Sequence, residues 1–221
     1  TLLSDQKLWP EHIVEIEPIG VDSGKIVWAW HAWDHLIQDF DTTKLNYGNV
    51  GEHPEKIDLN YIRPGKDGRD WQHANSIHYN PSLDQILISV LYFDEVWMID
   101  HHTTTQEAQT AKGDLLFRWG NPQTYQQGDE SDKKLFGQHH AHWIEEGLPD
   151  EGKIMVFNNG QGRPGGSYSS VDVIDPPLDA NNIFIISDTE PFEPEDLFWT
   201  YEADPPEDMY SSNISGAHRL S

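Results

Sequence analysis

From Ala74 to Asp100 the chain reads ANSIHYNPSLDQILISVLYFDEVWMID. Three runs rich in β-branched and aromatic residues, "ANSIHY", "QILISV" and "EVWMID", are separated by short stretches carrying Asn, Pro, Ser and Asp. Such runs read as antiparallel strands joined by turns. After a loop, "DLLFRW" (Asp114–Trp119) supplies a fourth strand. The same order returns later as "AHWIEE", "KIMVFN", "SVDVID" and "DLFWTY", between Ala141 and Tyr201. Earlier, "HIVEIE" and "KIVWAW" give only the last two members of the pattern. "SGAHRL", from Ser215, reads as the first strand of another unit.

The repeating unit is four strands, recurring at about 65 to 90 residues. Tandem four-stranded units are the signature of a β-propeller, in which one blade cannot bury both faces and neighbours stack around an axis. The expected fold is therefore all-β, a propeller of four-stranded antiparallel blades present as a partial ring; a β-sandwich is the alternative. Residues 1–30 hold the end of one blade, 71–120 and 137–201 a full blade each, and 211–221 the start of the next. "ANSIHY" and "AHWIEE" are expected innermost, "DLLFRW" and "DLFWTY" outermost. Residues 31–70 have no repeat partner. They predict a long loop over one end of the blades, with few strands and a short helix around Trp33 to Phe40.

The chain has 221 residues, 14 Lys+Arg against 38 Asp+Glu, and a formal charge of -24. That balance argues against nucleic acid and anionic membrane surfaces as partners. Nine Trp, eight Tyr and eight Phe supply ample surface for a core. There is no cysteine, which excludes disulfides, thiolate metal sites and a cysteine nucleophile. No run of about 18 apolar residues occurs. Both ends read as cut from something longer, and association into oligomers stays open.

Histidines gather at the expected strand entrances. "DWQHANSI" puts His73 before one innermost strand, "GQHHAHWI" puts His139, His140 and His142 before the next, and "SGAHRL" carries His218. Aligning "QHANS" with "QHHAH" on Gln-His makes His73 and His139 equivalent. In that register His139 faces the channel, His142 faces inward deeper, and His140 points away. "FNNGQGRPGG" adds Asn158, Asn159 and Arg163, whose planar fork suits a tetrahedral oxyanion. Asn75 follows His73 closely enough to join a substrate-binding set with His142, Asn158 and Asn159. His73, His139, Arg163 and His218 are the candidate catalytic set. Histidine can be nucleophile, acid or hydrogen-bond donor near neutral pH, so these residue types suit a histidine-lined anion pocket. Trp71, Tyr92 and Trp143 are candidates to hold a ring, or core. A histidine-bound metal ion and an ordinary Asn-Gly hairpin remain the other readings of these segments; no metal or cofactor is expected.

Together, "DWQHANSIHYN", "DQILISV", "EVWMIDHHTTT", "GDLLFRWGNP", "LFGQHHAHWI" and "MVFNNGQGRPGGSYSSV" resemble the bacterial arylsulfotransferase family over most of the chain. The resemblance implies a six-bladed propeller, exported to the periplasm or outside the cell. It implies sulfuryl transfer from an aryl sulfate to a phenol, without a nucleotide sulfate donor, through a sulfohistidine. His73 matches the family's "HxNS" His, His139 its "QHxA" His, and Arg163 the Arg after its "F(D/N)NG" turn. His218 is the candidate for the nucleophile. Two positions depart from the family pattern: His140 stands where Asp is common, and His218 where Gln is common. A propeller that keeps the scaffold without the chemistry, used for binding or structure, is the competing function.

Overall fold

Alternation along Gln85–Val90 sends Ile86, Ile88 and Val90 into one apolar layer and Leu87 into another, and none of the four is more than 5 % exposed. A strand buried on both faces belongs inside a stack of sheets. The computed structural model describes residues 7–66, 69–180, 183–187 and 189–221, and stacking is what it contains. Strands β1 (His12–Ile19) and β2 (Ser23–His31) form a two-stranded antiparallel sheet. After β3 (Leu36–Ile37) and β4 (Ile57–Asp58), strands β5 (Ala74–Asn80), β6 (Gln85–Val90), β7 (Glu95–Asp100) and β8 (Phe117–Trp119) pair in chain order. Strands β9 (His139–Trp143), β10 (Ile154–Asn158), β11 (Ser170–Ile174) and β12 (Trp199–Tyr201) do the same.

Two cores bind the stack. Trp28 and Trp30 of β2 meet Ile86, Ile88, Trp97 and Ile99 in the first. Leu87, Met98, Phe117 and Trp119 meet Trp143, Ile154, Val156 and Ile174 in the second. Strands β5 and β9 lie side by side where the four-stranded sheets meet. Ala141 N donates to Ser76 Oγ at 3.0 Å, and Asn75 Nδ2 to Gln138 O at 2.8 Å. The all-β architecture of four-stranded antiparallel sheets thus stands; among the described residues the sheets do not close a ring.

The segment 31–70 has one 3-10 turn at Ala32–His35, where a short helix is expected, a second at Val50–Glu52, and the two-residue strands β3 and β4, paired parallel. It covers more than one end of the sheets. Its middle runs along the outer strand β8, where Leu115 N donates to Glu55 O at 2.9 Å and Arg118 Nη1 to Lys56 O at 2.7 Å. Only then does it cross the end of the sheet, through Trp71 Nε1 to Tyr61 O and Arg63 Nη1 to Leu91 O, each 2.8 Å.

One strand expectation fails. Residues 211–221 form no strand. They lie against β9 where the first strand of a further sheet would run, with Ala217 on the Ile144–Met155–Val173 cluster. Side-chain contacts hold the segment there, and a strand needs a ladder of its own.

Candidate functional site

The turn hydrogen bonds fix how the two four-stranded sheets correspond. Tyr92 N donates to Gln72 O, and Gly160 N donates to Phe136 O. His78 pairs with Leu87, and His142 with Met155. Both ends of the inner strands therefore correspond at a spacing of 64, whereas matching Gln-His to Gln-His uses 66. In the observed register His73 corresponds to Gly137, and both have left-handed backbone, at φ 54° and 73°. His142 corresponds to His78, while His139, opposite Phe157, takes the place that Ser76 holds opposite Ser89, because the two strands bulge at different points. The expected equivalence of His73 and His139 is corrected: the hydrogen-bonded turn, not the shared dipeptide, sets the register.

The same register redistributes the clustered histidines. Strict alternation does not decide which histidines share a face of β9, because the strand bulges between His139 and His142. His140 takes φ 56° at a bulge, where β9 spends one more residue than β10 between the pairs His139–Phe157 and His142–Met155. The ring centroids of His140 and His142 lie 4.6 Å apart. His218 approaches both, at 4.7 Å and 5.4 Å, and His78 lies 6.0 Å from His142. His140 thus lies against His142 and His218, where alternation alone would have it point away. Four histidines from β5, β9 and the C-terminal segment meet along one seam.

Burial is the largest cause holding the imidazoles of His78, His140 and His142 below their ordinary value. The nearby charge of His218 pushes His140 and His142 the same way, while Glu145 pulls His78 back up. These rings are neutral at pH 7, able to attack, to accept or to pass a proton. His78 Nδ1 accepts the N–H of Trp143 at 3.3 Å, and His142 Nδ1 donates to His140 O at 3.1 Å. Beside His78 and Trp143 opens a cavity of about 540 Å3, lined also by Tyr79, Leu83, Glu145 and Glu151. Among the described residues no three His, Asp or Glu side chains are arranged to hold a metal ion.

The other sequence candidates have separate partners. His73 Nδ1 pairs with Asp70 Oδ2 at 2.5 Å, and its ring packs on Tyr92 at 4.9 Å. Asn75 reaches across to Gln138 O. Asn158 Oδ1 accepts from Phe136 N at 2.9 Å, and its amide donates to Lys134 O and Asp172 Oδ2. Asn159 bonds His139 and the C-terminal segment. Arg163 has partners of its own. Its fork donates to Ser170 Oγ at 2.7 Å and Glu202 Oε1 at 3.3 Å, over the Tyr168 ring at 4.4 Å. A carboxylate from beyond β12 neutralises it. Trp71 and Trp143 are core, at 1 % and 4 % exposed.

His78 escapes a reading of sequence alone. The signal that finds it is the alignment of "ANSIHY" with "HHAHW" at a spacing of 64, which superposes His78 on His142.

The family model of Arylsulfotransferase (ASST) matches residues 5–176, more than three quarters of the chain, and the chain belongs to that family. The match spans His73, His78, His139, His140, His142 and Arg163 and stops short of His218. No curated protein matches the chain.

Proposed function

We propose that this protein transfers a sulfuryl group from an aryl sulfate to a phenol, without a nucleotide donor, at the seam of His78, His140, His142 and His218. In this reading the two four-stranded sheets are adjacent blades of a propeller, and the seam lies along its channel, in an exported protein. The observation that carries it is the convergence of four histidines from separate elements in a chain of this family. The exposed His218 is the proposed nucleophile. Its nitrogen lone pair attacks sulfur; the N–S bond forms as the S–O bond to the aryl group breaks. The aryl oxide keeps the bonding pair and is protonated through a neutral neighbouring histidine, which takes the N–H proton that sulfated His218 sheds and passes one on from its other nitrogen. The acceptor phenol returns that proton, and its oxygen then displaces the histidine from sulfur. The cavity beside Tyr79 and Trp143 gives the ring an apolar surface.

A chromogenic aryl sulfate offered with a phenol acceptor tests this. Wild-type protein is expected to release the coloured phenol only when acceptor is present. His218→Ala and His140→Ala each lower turnover by about 10²-fold or more. His73→Ala, which lies outside the seam, acts far less. Release that ignores the acceptor, or equal losses at His73 and His140, would overturn the assignment. A second reading, a scaffold that binds without catalysing, is favoured by Arg163, whose charge is already matched by Glu202. It predicts aryl sulfate binding with no turnover.

A further inference from the structure

Two backbone carbonyls settle which way the Asn159 amide faces. Its nitrogen donates to Ser211 O and to Ile214 O, both at 2.8 Å. Carbonyls only accept, so the NH2 lies on that side and Oδ1 on the other. Oδ1 stands 2.7 Å from His139 Nδ1, and Gly137 O stands 3.1 Å from the same nitrogen. Two acceptors at one ring nitrogen require a proton there. The neutral ring then keeps its lone pair on Nε2, and that nitrogen accepts the N–H of Ile214 at 3.3 Å. One asparagine thus dictates the tautomer of His139, and the pair grips a single turn from both sides.

That turn needs gripping. Ile214 and Ser215 have φ of 58° and 92°, and a β-branched residue avoids this region unless its surroundings enforce it. Immediately beyond, Gly216 lies on the His140 ring, where a Cβ would come within 2.7 Å of Nδ1. His218 follows, against His140 and His142. Whatever holds the Ile214–Ser215 turn therefore sets where His218 lies.

We propose that Asn159 is a positioning residue. It fixes His139 in the Nδ1-protonated form, and the two side chains clamp the turn that presents His218 to His140 and His142. His139 is then a strut in the site, with both ring nitrogens engaged. The part this clamp plays in transfer rests on the transferase reading above; the tautomer and the turn do not.

Nitrogen NMR of the 15N-labelled chain at pH 8 tests it. The wild type is expected to show His139 protonated on Nδ1 and a slowly exchanging Ile214 amide. Asn159→Ala removes both, mixing the tautomers and speeding Ile214 exchange by about tenfold or more. Asn159→Asp keeps an acceptor for Nδ1 but loses the NH2. It retains the tautomer while Ile214 exchange still rises. In the aryl sulfate assay Asn159→Ala lowers kcat more than it raises KM. A wild-type His139 protonated on Nε2 would overturn the proposal, as would an Asn159→Ala protein with tautomer and exchange unchanged. Absence of wild-type turnover would sink the transferase reading, while the NMR result would still decide the clamp.

Discussion

The sheet of β5–β8 and the sheet of β9–β12 share strand order and chain direction, yet they sit in different surroundings. Met98 pairs with Phe117 in the first, and Val173 pairs with Trp199 at the corresponding rung of the second. Phe117 is 1 % exposed and Trp199 39 %. The first sheet is covered on both sides, by β1–β2 with the long segment and by the second sheet. Among the described residues, the second sheet's far face meets Leu148 and the segment 211–221. Similar local sequence therefore gives the same strands, and neighbours decide how much each strand contributes to stability.

The corresponding polar rungs sharpen the contrast. Trp97 pairs with Arg118, and Asp172 with Thr200. Arg118 is fully buried and donates to Glu95 from Nε and Nη2, the latter at 2.6 Å, with Thr124 and the carbonyls of Pro54 and Lys56 completing its shell. Burial pushes the Glu95 carboxyl upward against the pull of Arg118. The Thr200 hydroxyl donates to Asp172 Oδ1 at 2.6 Å. Arg118→Ala leaves a buried carboxylate without its partner and is expected to cost about 3–5 kcal/mol in urea unfolding. Thr200→Ala should cost about 1 kcal/mol. Equal losses at the two rungs would break the comparison.

A smaller gap is expected between Leu87 and Met155. They hold corresponding places, opposite His78 and His142, and each faces the next layer outward. Leu87 meets the second sheet, while Met155 meets Ile144, Val173 and Ala217. Leu87→Ala is expected near the top of a range of about 2–5 kcal/mol, and Met155→Ala near the bottom, because the C-terminal segment can settle into the space. Thermal unfolding of both variants measures the difference.

The smallest effect is in pH. Burial lowers the imidazole pKa values of His78 and His142, so the unfolded chain binds more protons just below its own histidine value. Their stabilising effect is present in full above about pH 6.5 and lost as pH falls through the lower folded values. His142→Gln should therefore flatten the fall in stability below that pH. His78→Gln should flatten it less, because His78 is less buried and Glu145 partly offsets its shift. Unfolding midpoints followed from pH 7.5 downward check the order of the two variants; a steeper fall in either would reverse the sign.

Strand by strand, much of the fold is legible. The alternation of "QILISV" and "EVWMID", and its return in "KIMVFN" and "SVDVID", carries the two four-stranded sheets and their inner-to-outer order. The candidate site is legible in its ingredients and less so in its arrangement. "HHAHW" and "SGAHRL" carry His140, His142 and His218, but the shared Gln-His of "QHANS" and "QHHAH" points to the wrong partner for His73. Arg163 has the charge and fork of an anion binder, and its neutralising Glu202 stands 39 residues away on another strand's flank.

By itself the sequence determined the local elements, the excess of acid over base and the supply of histidines, because periodicity, charge and side-chain chemistry belong to each residue where it stands. Only the tertiary structure decided which histidines meet. Register between inner strands depends on the turn hydrogen bonds of Tyr92 and Gly160, and on the left-handed backbone at His73 and Gly137. It likewise decided that "SGAHRL" is no strand, since a strand exists only where another backbone completes its ladder.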